Sequence, residues 1–141
     1  RSLHASRRDA RRAEARRCLL SAPVYRNAQI KRATLHVEDH GILTVSLVLE
    51  WPGCAVCWGG YALDRYDHAL KKRIGTAWGL TFILRVLDTV GVSSWDKLEG
   101  KYVRIVDGGL GSRCTVIGHI TEEKWLDPEN DAVLKSLVGA P

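Results

Sequence analysis

The chain has 141 residues, of which 45% are hydrophobic and 26% charged, a composition typical of one globular domain with a modest core. No apolar run approaches the roughly 18 residues that a membrane-spanning helix requires, and nothing near the start has the pattern of a secretory signal. These features exclude a helical membrane protein. They lead us to expect a protein of the reducing cytoplasm whose four cysteines are thiols.

The formal net charge of +5 comes from one end of the chain. Residues 1–17 hold seven arginines and two acidic residues, whereas the charges of the remaining residues cancel. Good helix formers without Gly or Pro predict a basic helix over residues 5–20. We therefore divide the chain into an arginine-rich N-terminal arm or helix, 1–27, and a single α+β ligand-binding domain, 28–141. A neutral domain disfavours a dedicated duplex-DNA binder, although the arm could contact nucleic acid. The alternative is a solvated arm or helix, which could also dock on a partner subunit.

Three segments with alternating polarity predict an antiparallel meander at the start of the domain. They are AQIKRATLHV, ILTVSLVLEW and CAVCWGGYAL, which begin at residues 28, 42 and 54. Gly41 and the Pro52-Gly53 pair supply the turn residues between them. Residues 64–75 are polar and are expected to form a loop or a short helical turn.

The strongest helical pattern covers residues 76–90, and Gly91 follows at the expected C-terminal position. The core face predicted for this helix consists of Leu80, Ile83, Leu84 and Leu87. KYVRIVDGG and SRCTVIGHI then predict a second hairpin. The sequence thus predicts an α+β fold: an antiparallel sheet, made of the N-terminal meander and a C-terminal hairpin, packed against one main α-helix, with the extra basic helix before it.

The Cys-x-x-Cys pair formed by Cys54 and Cys57 does not predict a metal site. Residues three apart in a regular strand face opposite sides of the sheet, whereas a zinc knuckle needs both thiolates to converge. The Gly-Gly pair that follows is typical of a bulge or of close approach by another backbone or a ligand. Trp58 and Tyr61 flank this opening and are either candidate ligand contacts or core aromatics.

The start of the main helix is a second candidate ligand contact. Arg73 and Thr76 precede the first turn, where unpaired backbone N–H groups attract phosphate. Trp78 and Arg85 lie on one side of the helix, two turns apart, and could stack a nucleobase and hold a diphosphate. The alternative is that Trp78 and Phe82 form a dimer seam, and a pocket between subunits would satisfy both interpretations.

Arg104 and Arg113, together with aromatic residues of the second hairpin, suit a phosphorylated, base-containing ligand. Catalytic signatures are scarce, because the chain has no Walker loop, no Gly-x-Ser-x-Gly and no His-Glu-x-x-His. Isolated His and carboxylate pairs such as Asp64 and His68 are expected by chance. The sequence therefore predicts a binding protein without a cofactor and not an enzyme.

An ordered series of short motifs resembles a known family. VEDHGILT, WGGYALD, GTAWGLTFI, VGVSSWDKLEGKYVRI, IGHI and KW occur in this order between about residues 28 and 130. The series is similar to that of the phage-encoded Thoeris anti-defence sponge proteins of the first type. The arginine-rich residues 1–27 lie outside the resemblance.

The resemblance implies a small α+β protein that forms a homodimer or larger assembly. It implies sequestration, without cleavage, of a cyclic ADP-ribose isomer made by bacterial TIR-domain immune enzymes, and for some members a cyclic oligonucleotide at a separate site. A base-stacking role would fall on Trp58 or Trp78. A phosphate-binding role would fall on one or more of Arg73, Thr76, Arg104 and Arg113. The open alternatives are a phage inhibitor of a host protein and a nucleic-acid binder that uses the arm.

Overall fold

The computed structural model describes Asp9 and residues 24–107 and 113–138. The basic helix predicted for residues 5–20 lies, except for Asp9, outside the described residues. Within them no helix is long and apolar enough to cross a bilayer.

The described residues form an antiparallel sheet, a separate hairpin and two α-helices, which confirms the predicted α+β class. The six-stranded sheet has the order β3-β2-β1-β6-β7-β8, and β4 pairs only with β5. The elements are β1 Val24–Val37, β2 Leu43–Trp51, β3 Cys54–Ala62, β4 Asp64–Asp67, β5 Lys72–Gly75, α1 Ala77–Val90, β6 Tyr102–Asp107, β7 Ile117–His119, β8 Trp125–Leu126 and α2 Ala132–Leu137.

The sheet curls around its core. Trp58, on the edge strand β3, donates a hydrogen bond from Nε1 to the carbonyl oxygen of Thr115 at 3.0 Å, and Thr115 lies two residues before β7. Three strands separate β3 from β7 in the sheet order, so this bond draws two distant parts of the sheet together. The side chains enclosed by the curl are fully buried, among them Ile30, Leu47 and Ile105.

The first strand begins earlier than the alternating pattern indicates. Residues 24–27 pair with β6, from Val24 opposite Asp107 to Asn27 opposite Arg104. The ion pair between Arg26 Nε and Asp107 Oδ2, 2.7 Å long, lies beside this ladder. β1 therefore joins the meander to the second hairpin.

The glycine pair of β3 forms the predicted bulge. Val45 pairs with Tyr61 and Ser46 pairs with Gly59, so that Gly60 is the extra residue. Gly59 has a φ of 104°, and a Cβ there would lie 2.7 Å from the carbonyl oxygen of Val45. The predicted close approach of another backbone is confirmed, and only glycine fits this conformation without strain.

The prediction of a loop or helical turn over residues 64–75 is wrong, because this segment is the β4–β5 hairpin. Asp67 Oδ1 accepts a hydrogen bond from the N–H of Leu70 at 2.8 Å and so stabilises the turn. Lys71 completes the turn with a φ of 53°. A turn made without Gly, Pro or Asn carries a weak sequence signal.

The bounds of the main helix are as predicted, but its core face is only partly so: Ile83 and Leu87 are partly buried against the core. Thr76 Oγ1 accepts the N–H of Gly79 at 2.9 Å, and Gly91 closes the helix with a φ of 86°. Leu80 and Leu84, predicted to face the core, are 64% and 59% exposed. The buried residues of α1 are Gly79, Phe82, Val86, Thr89 and Val90.

Aromatic packing and one glycine account for the rotation of the helix. The Phe82 ring stacks on Trp58, with ring centroids 5.5 Å apart, and on Trp78, at 5.3 Å. Gly79 lets α1 approach the backbone of Leu63 so closely that a Cβ there would lie 2.7 Å from the carbonyl carbon. Large rings bury more area than leucine side chains, so they determine which side of the helix faces the sheet.

Substitutions on the two sides of α1 test this orientation. Phe82→Ala removes a fully buried ring and should lower the free energy of unfolding by about 3–5 kcal/mol. Leu84→Ala, the control, should change it by less than about 1 kcal/mol, because that side chain is exposed. Urea denaturation measures both values, and a larger loss for Leu84→Ala would contradict the orientation.

Candidate functional site

A cleft of about 540 Å³ opens where the end of β3, the β4–β5 hairpin, the start of α1 and the end of α2 meet. Its size lies within the range of small-molecule sites. The lining residues are Tyr61, Ala62, Asp64, Arg65, Ile74, Gly75, Thr76, Ala77, Trp78, Leu137 and Val138.

Aromatic rings form one wall of the cleft. The half-buried Trp78 stacks nearly parallel on Phe82, with an interplanar angle of 10°. Tyr61 packs against Trp78 with ring centroids 5.7 Å apart and an angle of 54°. Phe82 holds Trp78 from the core side, so the position of this lining ring is fixed by packing.

The first turn of α1 presents backbone donors to the cleft. Thr76 donates its hydroxyl to the carbonyl oxygen of Leu63 at 3.0 Å while it caps the helix. The N–H groups of Ala77 and Trp78 have no hydrogen-bond partner among the described residues. The positive end of the helix dipole and two unsatisfied N–H donors therefore lie together at the wall of the cleft.

Two arginines of the hairpin differ in whether their guanidinium groups are paired with a carboxylate. Arg73 binds the carboxylate of Asp64 through two hydrogen bonds, Nε to Oδ2 at 2.9 Å and Nη2 to Oδ1 at 2.8 Å. This side-chain hydrogen bonding lowers the pKa of Asp64 and raises that of Arg73. Arg65 is exposed in the cleft lining and forms no ion pair within the described part of the chain. Arg65, which the sequence did not single out, is thus the available cation of the lining.

Tyr61 links the cleft to Arg113. The Arg113 guanidinium lies 5.8 Å from the centroid of the Tyr61 ring. Burial raises the pKa of Tyr61, the carboxylate of Glu129 raises it further, and Arg113 opposes both. The Arg113 side chain is 67% exposed and 4.0 Å from Glu129, a spacing that leaves it able to turn toward a ligand.

Of the eight predicted site residues, the structure brings Tyr61, Thr76 and Trp78 into the cleft and Arg113 next to it. Trp58 is 1% exposed and belongs to the core, where its ring and its N–H are both engaged. Because it lies in the core, Trp58 does not line the cleft.

The other arginines of the predicted set bind parts of the protein. Arg85 Nη2 lies 2.7 Å from Asp131 Oδ2 and thereby attaches α1 to the N-cap residue of α2. Burial acts to raise the pKa of Asp131, but hydrogen bonds from Arg85 and from backbone N–H groups outweigh it and the pKa is lowered. Arg104 donates to the carbonyl oxygens of His119 and Glu122 at 2.7 and 2.6 Å.

No three side chains of His, Cys, Asp or Glu converge on a possible metal position within residues 24–107 and 113–138. Cys54 and Cys57 are both exposed thiols.

Comparison of the chain with models of protein families, with curated proteins and with solved structures gave no match. The family resemblance of the motifs stays a prediction.

The ion pair beside the cleft predicts how stability responds to acid. The lowered pKa of Asp64 contributes stability that is present above the unfolded value, about 3.9, and is lost as the pH falls through the folded value. Asp64→Asn should therefore cost about 1–2 kcal/mol near pH 6. The difference from the wild type should shrink toward about pH 2.

Urea denaturation across this pH range measures the effect, with Asp39→Asn, an exposed aspartate in the β1–β2 turn, as the control. An equal difference at both ends of the range would show that the Asp64 charge does not contribute through its pairing with Arg73.

Proposed function

We propose that the chain binds a cyclic nucleotide immune signal of the cyclic ADP-ribose class in this cleft and sequesters it without cleavage. In this proposal it acts as a phage-encoded anti-defence protein in the cytoplasm of the bacterial host. The proposal draws on the motif resemblance and on the chemistry of the lining. The observation that carries it is that Trp78, the free N–H groups of α1 and Arg65 share one cleft.

Each part of such a ligand has a counterpart in the lining. An adenine ring can stack on Trp78, since the indole is held by Phe82 and bases stack on aromatic rings regardless of sequence. Phosphate groups can accept hydrogen bonds from the N–H groups of Ala77 and Trp78, aided by the helix dipole. Arg65 can add a charge-assisted contact from the hairpin side.

The pairing of Asp64, the carboxylate of the cleft lining, favours binding of the ligand without its cleavage. Both carboxylate oxygens of Asp64 accept hydrogen bonds from Arg73, and its lowered pKa makes it a weak general base. The raised pKa of Tyr61 keeps its hydroxyl protonated, so that it can donate a hydrogen bond to the ligand.

The exposed leucines of α1 favour a protein partner for that side of the helix. Leu80 and Leu84 are one helical turn apart and both largely exposed. We propose a second copy of the chain as the partner, which gives a homo-oligomer. Phe82 is buried and takes no part in such a seam, contrary to the dimer interpretation of the sequence. A host protein on the same leucines is the second candidate function.

A thermal-shift titration with cyclic ADP-ribose isomers tests the proposed function. Binding to the folded state should raise the unfolding temperature, and mass spectrometry of the denatured sample should recover the ligand intact. Trp78→Ala should weaken binding by roughly 10- to 100-fold through the lost stacking, whereas Trp78→Phe should retain most of it. Turnover of the ligand would point to an enzyme, and no shift with any isomer would favour the protein-partner candidate.

A pair of exposed arginines tests the electrostatic part. Arg65→Gln removes the free cation of the cleft and should weaken ligand binding by about 5- to 30-fold. Arg32→Gln, the matched control on β1, removes an exposed arginine outside the cleft lining and should leave the affinity unchanged. Equal effects of the two substitutions would indicate general charge attraction instead of a contact in the cleft.

A further inference from the structure

The outer face of the sheet, opposite the core, carries exposed aromatic and hydrogen-bonding side chains on two neighbouring strands. Ala28 and Ile30 of β1 and Val103 and Ile105 of β6 are buried, so the alternate residues of both strands point outward. We call six of these outward residues the outer platform: Tyr25, Asn27, Gln29 and Lys31 of β1 with Tyr102 and Arg104 of β6.

Two aromatic positions lie at opposite ends of the platform. Tyr102 is 54% exposed and is directly opposite Gln29 in the ladder. Tyr25 is 62% exposed and lies four residues before Gln29, which places it about 13 Å away along the strand. The Tyr25 ring contacts Trp125 at 5.6 Å, and the Arg104 guanidinium covers Trp125 at 4.5 Å. Contact with Trp125 thus holds the Tyr25 end of the platform in place.

A groove of about 620 Å³ continues from Tyr102 across the sheet. The register places Tyr102, Gln29, Glu50 and Ala55 in one row over four adjacent strands. Ala55 leaves space at the far end, and Lys31, the extra residue of a bulge in β1, lies beside the row. The row offers an aromatic ring, an amide and a carboxylate, which are the groups that stack on bases and bind their edges.

The charges near the platform are complementary to a phosphate backbone. Lys31 and Arg32 are exposed, and neither forms an ion pair within the described residues. Glu50 is the acidic side chain of the groove, so phosphate attraction has to come from Lys31 and Arg32.

We propose that the outer platform binds a segment of single-stranded nucleic acid. Bases stack on Tyr102 and Tyr25, the side chains of Gln29 and Glu50 bind base edges, and the cations hold the phosphates. A duplex cannot offer its base faces to these rings, so the proposal is compatible with the expectation that the chain is no duplex-DNA binder. An acidic peptide could pair with the exposed cations, but it would not account for the exposed rings of Tyr25 and Tyr102.

Fluorescence anisotropy of the full chain with labelled oligonucleotides of about ten nucleotides tests the proposal. Single strands of uridine or thymidine should bind more tightly than a duplex of equal length, and the affinity should fall as salt rises. The RNA and DNA strands, compared side by side, distinguish the two sources of the same chemistry. Equal binding of duplex and single strand, or no binding of either strand, would overturn the proposal.

Tyr102→Ala is the decisive variant. It should weaken single-strand binding by roughly 5- to 100-fold, and Tyr102→Phe should restore it because the ring is retained. Tyr66→Ala is the matched control, since Tyr66 is similarly exposed, at 46%, but lies on the β4–β5 hairpin. Unchanged affinity for Tyr102→Ala, with an unfolding temperature equal to that of the wild type, would overturn the proposal.

The two proposed sites can be separated by reciprocal variants. Trp78→Ala should leave oligonucleotide binding unchanged, and Tyr102→Ala should leave the cleft ligand unaffected, because the two residues line different cavities. Loss of oligonucleotide binding in a Trp78→Ala protein that still unfolds at the wild-type temperature would place the strand in the cleft and overturn the platform. A failure of the platform leaves the proposal for the cleft standing, and the reverse also holds.

Discussion

The ring of Phe82 lies between the rings of Trp58 and Trp78, and the rest of the structure depends on this stack. At one end Trp58 is fixed by its hydrogen bond to Thr115, which maintains the curl of the sheet. At the other end Trp78 lines the cleft. One set of contacts therefore determines the sheet curvature, the rotation of α1 and the position of the ring that a ligand would meet. Such rings contribute more to stability than their number suggests, because each buries a large apolar area.

Whether an arginine is paired within the protein depends on how deeply its guanidinium group is buried. Arg73, Arg85 and Arg104 are partly buried, and each has a carboxylate or carbonyl oxygen within 3 Å. A partly desolvated guanidinium without such a partner would be costly, so these three hold the hairpin, α2 and the β7–β8 turn in place. The cations that remain available, such as Arg65 and Lys31, are exposed and line different cavities. This distribution of charge is what gives the chain two separate candidate surfaces.

Sequence patterns predicted the features that depend on local chemistry. The bulge at the glycine pair and the helix bounds at Thr76 and Gly91 follow from positive φ and from capping. The orientation of α1 was not predictable from hydrophobicity, because its leucines are as apolar as the buried residues and only tertiary contacts favour the aromatic side. The role of Arg85 depends on Asp131, 46 residues away, and no local pattern indicates such a pair. Three of the eight predicted site residues, Tyr61, Thr76 and Trp78, line the cleft, and each directly adjoins a glycine that in the sequence indicates close approach or the helix start.

The most direct measurement is a nuclear magnetic resonance titration of the protein with ¹⁵N-labelled tryptophan, in which the five indole N–H signals are assigned by single Trp→Phe variants. On addition of the cyclic ADP-ribose isomer that raises the unfolding temperature, the Trp78 signal should shift to saturation. The Trp58 signal should stay in place, because its N–H is bound to Thr115 in the core. A saturating shift at Trp58 or Trp51 with none at Trp78 would show that the ligand binds elsewhere, and would contradict the assignment of the cleft.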